Sequence, residues 1–252
     1  MGENTPADSS VFTTLRWDNG RVAWLDRHLT RLHAHAKRLE IDWPSDFQER
    51  LKSASITGEG NLCRIRLSRN GQVDVSLSLS EYSSSPFTAL SQEAPRFDQR
   101  AQGTKHAAWS GYQRARKNAN EGSADIALLV HDGAVVDGDR CTPILLDLDG
   151  VAFAPSPAGG GIDSVTLSIL KPEIENAGIP FRYARLTETL LGRAAEIIVV
   201  GTGVGVAWLS EIDGQSVGKG SPGPLFNTCK NAFESALGEA WTPLEGFDGN
   251  DL

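Results

Sequence analysis

Gly103-Thr104-Lys105-His106 stands near the middle of a chain of 252 residues. A run rich in Pro, Gln and Arg precedes it, and a segment with helical spacing follows. An amine that bonds covalently to a carbonyl must react in its neutral form, which calls for partial burial or a neighbouring cation. Lys37, Lys52, Lys117, Lys171, Lys219 and Lys230 fall on expected helix surfaces or in Gly-rich turns. Lys105 instead follows a Gly-Thr pair and precedes His-Ala-Ala-Trp, which makes it the candidate catalytic amine. Its neighbourhood divides the chain into a smaller first domain, residues 1–95, and a larger second domain, residues 96–252.

Upstream, residues 11–16 (VFTTLR) read as a strand, and Asp18-Asn19-Gly20 as a turn. Asp26 is a candidate helix cap, with Leu29, Leu32, Ala36 and Leu39 spaced to form one apolar stripe. His28, Arg31, His33, His35, Lys37 and Arg38 fill the rest of that helix and read mostly as a solvated face. A second short helix is expected at 44–54. Residues 62–68 and 73–81 alternate with period two around Asn70-Gly71, a hairpin signal. Ser83-Ser84-Ser85-Pro86 breaks the pattern, and a linker at 95–103 leads to Lys105.

Downstream, a helix at 112–119 is followed by strands at 126–130, 134–137, 143–147 and 151–154, with Asp132-Gly133 and Asp149-Gly150 as turns. Gly159-Gly160-Gly161 is expected to open a helix over 162–176, closed by Gly178. A strand at 181–186, a short helix at 188–194 and strands at 196–200 and 206–212 follow. A helix at 222–237 and a polar tail at 247–252 end the chain. Strands broken by helices, with many hairpins, argue for an α+β fold rather than a doubly wound sheet.

Apolar residues make up 40% of the chain and the net charge is −8. The first figure supports a packed core. The second argues against nucleic acid or an anionic membrane as main partner, while leaving room for a local basic pocket. Cys63, Cys141 and Cys229 lack CxxC spacing, the usage of reduced thiols in a cytoplasmic protein. The first ten residues are polar and read as a loose terminus rather than a secretory signal, and no apolar run is long enough to span a membrane.

Three further patches carry chemistry. Gly159 to Ser164 would offer backbone N–H groups to an anion if a helix begins there. Gly201-Thr202-Gly203 ends an apolar strand in a small polar turn, where N–H groups and a hydroxyl are exposed. Asp137 closes the strand at 134–137, where a carboxylate can hold a proton on a heterocyclic nitrogen. Each is equally readable as an ordinary turn or strand end.

Together the patches resemble the fold-type IV pyridoxal phosphate enzymes, which include class IV aminotransferases and aminodeoxychorismate lyases. The likeness runs from Val11-Phe12-Thr13-Thr14 through Leu25-x-x-His28-Leu29-x-Arg31-Leu32, Gly103 to His106, Gly133 to Asp137, Gly161-Ile162 and Glu196 to Thr202. It ends at Gly218-x-Gly220-x-x-Gly223-Pro224. The resemblance implies a two-domain α+β fold like that of D-amino acid aminotransferase, with a small N-terminal α/β domain and a larger C-terminal domain built on a barrel-like sheet. It implies pyridoxal 5′-phosphate as cofactor and no metal. Lys105 would be the Schiff-base lysine and catalytic proton carrier. Arg31, Gly161, Ile162, Asp163, Thr202 and Gly203 would bind the cofactor, mainly its phosphate, and Asp137 would face the pyridine nitrogen. A homodimer is the implied assembly; Trp17, Trp24 and Trp109 read either as residues of such an interface or, as is commoner for Trp, as core residues.

The chain departs from the family pattern at several points. Asp137 stands where Glu is usual, Asp163-Ser164 where Thr-Arg or Met-Arg is usual, and Thr142 where Asn is usual. Ser110 replaces a Tyr common in aminotransferases, with Tyr112 two residues on, and the N-terminal hairpin before Val11 is missing or short. Phe12-Thr13-Thr14 and Lys105-His106 are more like the lyases, which release pyruvate from aminodeoxychorismate and leave 4-aminobenzoate. Branched-chain aminotransferases more often carry Phe-Glu at that strand. An aminotransferase acting on branched-chain or D-amino acids is the alternative, and a non-catalytic homologue without cofactor a second.

Overall fold

The computed structural model describes residues 5–80 and 86–245. The expected break at Ser83-Ser84-Ser85, the end of the strand at Glu81, the first four residues and the tail at 247–252 lie outside the described residues. The chain forms two compact units. One comprises Met1–Glu81, Phe97–Ser110 and Leu237–Leu252, the other Tyr82–Arg96 and Gly111–Ala236. The Lys105 segment therefore packs within the first unit, whereas the sequence reading places it in the second domain. The cause is a short pairing: His106 bridges Val11, and the Phe12 N–H donates to the Lys105 carbonyl at 3.0 Å.

In the first unit, β1 (Ser10–Asp18) turns at Asn19-Gly20 into β2 (Arg21–Ala23), and α1 (Leu25–Arg38) follows directly. Then come α2 (Phe47–Ser53), β3 (Ile56–Thr57), β4 (Leu62–Ser68) and β5 (Val73–Ser78). β1, β4 and β5 form an antiparallel meander through the expected Asn70-Gly71 hairpin. A last short strand, Trp241–Pro243, completes a six-stranded sheet by pairing with β2. Val11, Leu15, Ile65 and Leu67 point from the sheet into a core shared with Leu29 and Leu32 of α1, as the alternation and the helical stripe require. Trp17 packs against this core and Trp24 is buried.

Two expectations for α1 fail. Asp26 lies in its first turn and does not cap it; Trp24 is the capping residue, in left-handed geometry (φ 53°, ψ 43°), its N–H donating to Ala240 O at 2.9 Å. His28, Arg31 and His35 are buried rather than solvated, while His33, Lys37 and Arg38 are exposed. The buried three recur at spacings of three and four, so they form a polar stripe on one helix face.

The second unit is built on a ten-stranded sheet. β6 (Phe87–Glu93) is followed by α3 (Ser110–Glu121), β7 (Ile126–His131), β8 (Ala134–Gly138), β9 (Thr142–Asp147) and β10 (Ala152–Pro155). α4 (Val165–Asn176), β11 (Phe181–Ala184), β12 (Leu186–Thr187) and α5 (Glu188–Leu191) come next. β13 (Ala194–Gly201), β14 (Gly205–Ile212), β15 (Gln215–Ser216) and α6 (Pro224–Glu239) end the unit. The sheet runs β11-β10-β9-β13-β14-β6-β7-β8-β12, and β10 also approaches β8 and β12, so it curls into a nearly closed barrel. Ile126, Leu128, Leu145, Ile197, Val199 and Leu209 fill its interior.

The Gly-rich run does not open α4. Pro157–Gly159 make a 3-10 turn, Gly160 takes φ 110°, and the helix begins at Val165, capped by Ser164 Oγ, which accepts the Leu167 N–H at 3.2 Å. The Ser164 hydroxyl is therefore committed to its own helix. β6 was not expected from the sequence; it runs parallel to both β14 and β7, so the partners that make it a strand are remote in the chain. Among the described residues, no helix is long and apolar enough to cross a membrane.

Candidate active site

The candidate residues fall into two groups, Arg31 and Lys105 in the first unit and Asp137, Gly161, Ile162, Asp163, Thr202 and Gly203 in the second. In the first group, Lys105 is half-buried, and its Nζ lies 5.2 Å from the Phe12 ring centre and 4.8 Å from that of Trp109. The two rings meet edge to face at 5.0 Å, so the amine has an apolar, electron-rich wall. Backbone bonds fix the segment. Gly103 adopts φ 79°, a conformation open to glycine. Next to it, the Thr104 N–H and hydroxyl both donate to Ala101 O, at 3.0 and 2.7 Å.

α1 delivers its buried polar stripe to the same region. Arg31 Nη2 donates to Thr13 Oγ1 at 2.8 Å, and that hydroxyl also bonds His28 Nδ1 at 2.8 Å. Thr13 on β1 thus joins two residues of one helix. His35 Nδ1 accepts the Lys105 N–H at 3.1 Å. Burial, Arg31 and Lys105 hold His28 and His35 well below the usual imidazole range. Both rings are therefore neutral near pH 7, which leaves the His35 lone pair free to accept. His106 is fully buried, its ring nitrogens have no hydrogen-bond partner among the described residues, and burial pushes it down to about 4. Its ring stands edge-on to Phe97 at 4.3 Å.

In the second group, Asp137 is buried at the end of β8. Its Oδ2 accepts the Ile162 N–H at 2.8 Å, and its Oδ1 accepts Thr142 Oγ1–H at 3.4 Å. Gly161 lies so close to β8 that a Cβ there would sit 2.4 Å from Val136 O. Gly161, Ile162 and Thr142 are thereby gathered on Asp137. The turn at Thr202-Gly203 follows Val200, which pairs with Thr142. A Cβ on Gly201 would lie 2.9 Å from Arg140 O, so this turn abuts the one beside Asp137. The Asp163 side chain is exposed, and its charge, after burial, raises the Tyr183 phenol.

Sequence reasoning missed Thr13 as a hub, His35 as the partner of Lys105, and Tyr112 as a neighbour of Asp137. The Tyr112 phenol is raised by burial and then by the Asp137 charge. The signal for His35 was present in the spacing His28, Arg31, His35 on one helix face. Among the described residues, no group of three His, Cys, Asp or Glu is arranged to hold a metal.

The family model described as amino-transferase class IV matches residues 10–212. A D-alanine aminotransferase of Listeria monocytogenes (serotype 4b, strain F2365) is 23% identical over 262 residues, covering 93% of this chain and 89% of the relative. A branched-chain aminotransferase of Thermoproteus uzoniensis, solved with norvaline, superposes with TM-score 0.77 at 21% identity, over 94% of this chain and 90% of that one. A candidate 4-amino-4-deoxychorismate lyase of Legionella pneumophila gives TM-score 0.75 at 13% identity, over 90% of this chain and 91% of that one. The matched span covers most of the chain and contains every candidate residue: the protein belongs to the class IV aminotransferases, a family of pyridoxal phosphate-dependent enzymes.

Proposed function

We propose that the chain is an aminodeoxychorismate lyase. The observation that carries this reading is Thr13. It is fully buried and meets Arg31 with a hydroxyl, at the strand position where branched-chain aminotransferases more often carry Glu. The Thr13–Arg31 pair thus keeps a net positive charge suited to a phosphate. Lys105-His106 supports the same reading by resemblance.

Each unit by itself carries groups of the chemistry the cofactor needs: the first a half-buried amine at Lys105 and a guanidinium at Arg31, the second a buried carboxylate at Asp137 and a hydroxyl at Thr202. When bound, the cofactor supplies a protonated ring that stores electrons released at the carbon bearing the substrate amine. Lys105 Nζ would hold the cofactor until the substrate amine displaces it; the freed amine would then take the proton from that carbon and return one to the departing group. The substrate thereby loses its carbon–oxygen bond to the enolpyruvyl group, which leaves as pyruvate, and its ring becomes 4-aminobenzoate. Asp137 holds the proton on the ring nitrogen, with Ile162 and Thr142 fixing the carboxylate. By resemblance, Arg31 in the first unit, and Thr202, Gly203 and the backbone at 161–163 in the second, would be the groups that hold the phosphate.

Two assays test the reading. Borohydride should trap pyridoxal phosphate on the wild type, with loss of the visible band, and a Lys105→Ala variant should show no band. Incubation with aminodeoxychorismate should then yield 4-aminobenzoate and pyruvate in equal amounts. Amino-group exchange between D-alanine and 2-oxoglutarate, without those products, would establish the second reading, an amino acid aminotransferase, which the named curated relative favours. The assembly we propose is a cytoplasmic homodimer; sedimentation as a monomer at working concentration would refute the dimer.

A further inference from the structure

We propose that His35 is a positioning residue for Lys105, holding the backbone of the catalytic lysine so that its amine is aimed. The inference rests on the reading that Lys105 carries the cofactor. His35 is buried on α1, and its Nδ1 accepts the Lys105 N–H at 3.1 Å. On the other side of the residue, the Lys105 carbonyl accepts the Phe12 N–H at 3.0 Å. The peptide units flanking Lys105 are thus pinned to a helix and to a strand. Both lie within one unit.

A second bond set shows that α1 holds the whole segment. Arg38 lies three residues beyond His35, and its Nη2 donates to Gln99 O at 3.1 Å and Gln102 O at 2.8 Å. Asp98 Oδ1 and Gln102 Oε1 bind the loop to itself through Arg100, Ala101 and Phe97 N–H groups. Arg38 thus holds Gln99 and Gln102, while His35 reaches Lys105 itself. Only a neutral ring can accept at Nδ1. The charged and titratable groups that face His35 are Arg31, Lys105, Arg38 and His106, all of which disfavour its protonation. A neutral imidazole is therefore the resting state of this contact.

The role predicts a difference between variants of similar size. His35→Asn keeps an acceptor one bond from Cγ, where Nδ1 sits. His35→Phe keeps the ring volume and removes the acceptor. In the cofactor-free protein, the Lys105 amide should exchange with solvent about fivefold to tenfold faster in His35→Phe than in wild type, the worth of one hydrogen bond. It should stay near wild type in His35→Asn. In the loaded enzyme, His35→Phe should lower kcat by about ten- to a hundredfold with KM little changed, as expected for a displaced reacting group. His35→Asn should restore most of it. The pH midpoint of the visible band should move in His35→Phe and not in His35→Asn. Melting curves of both variants separate these effects from loss of fold.

Equal behaviour of Phe and Asn variants in exchange, kcat and band midpoint would overturn the role of His35, while loss of the band in Lys105→Ala would leave the functional reading standing. A band that survives Lys105→Ala would overturn both.

Discussion

Asp137 Oδ2 accepts the backbone N–H of Ile162 at 2.8 Å. The segment expected to bind phosphate thus spends an amide on the acid expected to bind the ring nitrogen. The bond depends on close approach of the two backbones, and Gly161 permits it.

Gly161→Ala should break that approach. Its Cβ would meet Val136 O at 2.4 Å, backbone against backbone, and a side-chain rotation cannot relieve it. The expected cost is about 1–3 kcal/mol, typical of overpacking, read as a lower urea midpoint. Pyridoxal phosphate titration should show weakened affinity, since Asp137 loses its anchor.

Thr13→Val keeps the shape of the side chain and removes the hydroxyl shared by Arg31 and His28. Leaving their buried groups without that partner should cost about 1–3 kcal/mol. Thr13→Ser keeps the hydroxyl and loses a methyl, for about 0.8 kcal/mol. Thermal melts of the two variants should rank them in that order.

Acid should destabilise the protein through its buried histidines. His28 and His35 are held well below their ordinary value in the fold, and His106 at about 4. As pH falls through the unfolded-state value of about 6.5, the unfolded chain takes up protons that the folded one refuses. Each histidine then removes stability at about 1.4 kcal/mol per pH unit, and for His106 the loss is complete below about pH 4. Urea unfolding between pH 7 and 4.5 should show this slope. His106→Phe should flatten it, whereas an unchanged slope would contradict a neutral buried ring.

Glu196 opens an expected strand, and its buried carboxylate accepts the N–H groups of Gly223, Leu225 and Phe226 at 2.9, 3.0 and 2.9 Å. It caps the start of α6 from a neighbouring strand. Glu196→Ala should cost about 3 kcal/mol, since several amides lose a charged acceptor. Amide exchange should rise first in the opening turn of α6.

Much of this was legible in local sequence. The Asn70-Gly71 hairpin, the strands flanking Asp132-Gly133 and the α1 stripe carry their own periodicity and turn residues, and they form where expected. β6, β3, β15 and the Trp241–Pro243 strand do not, because each is made by a partner elsewhere in the chain. The start of α4 was misplaced by three residues because three glycines resemble a phosphate loop, whereas the capping hydroxyl of Ser164 decides the boundary. In the candidate site, Lys105, Arg31 and Asp137 were proposed through family spacing. The burial of His28 and His35 was not, since imidazoles amid Lys and Arg read as solvated until the packing partners are known.

The pairing of Trp241–Pro243 with β2 joins, in one sheet, two segments that flank the second unit in sequence. During synthesis, β2 leaves the ribosome before the second unit, and its partner strand leaves after it. That edge of β2 must therefore wait, unpaired, while every residue of the second unit is made. A nascent chain stopped before Trp241 should hold this edge exposed to proteases and to other chains until its partner strand is made.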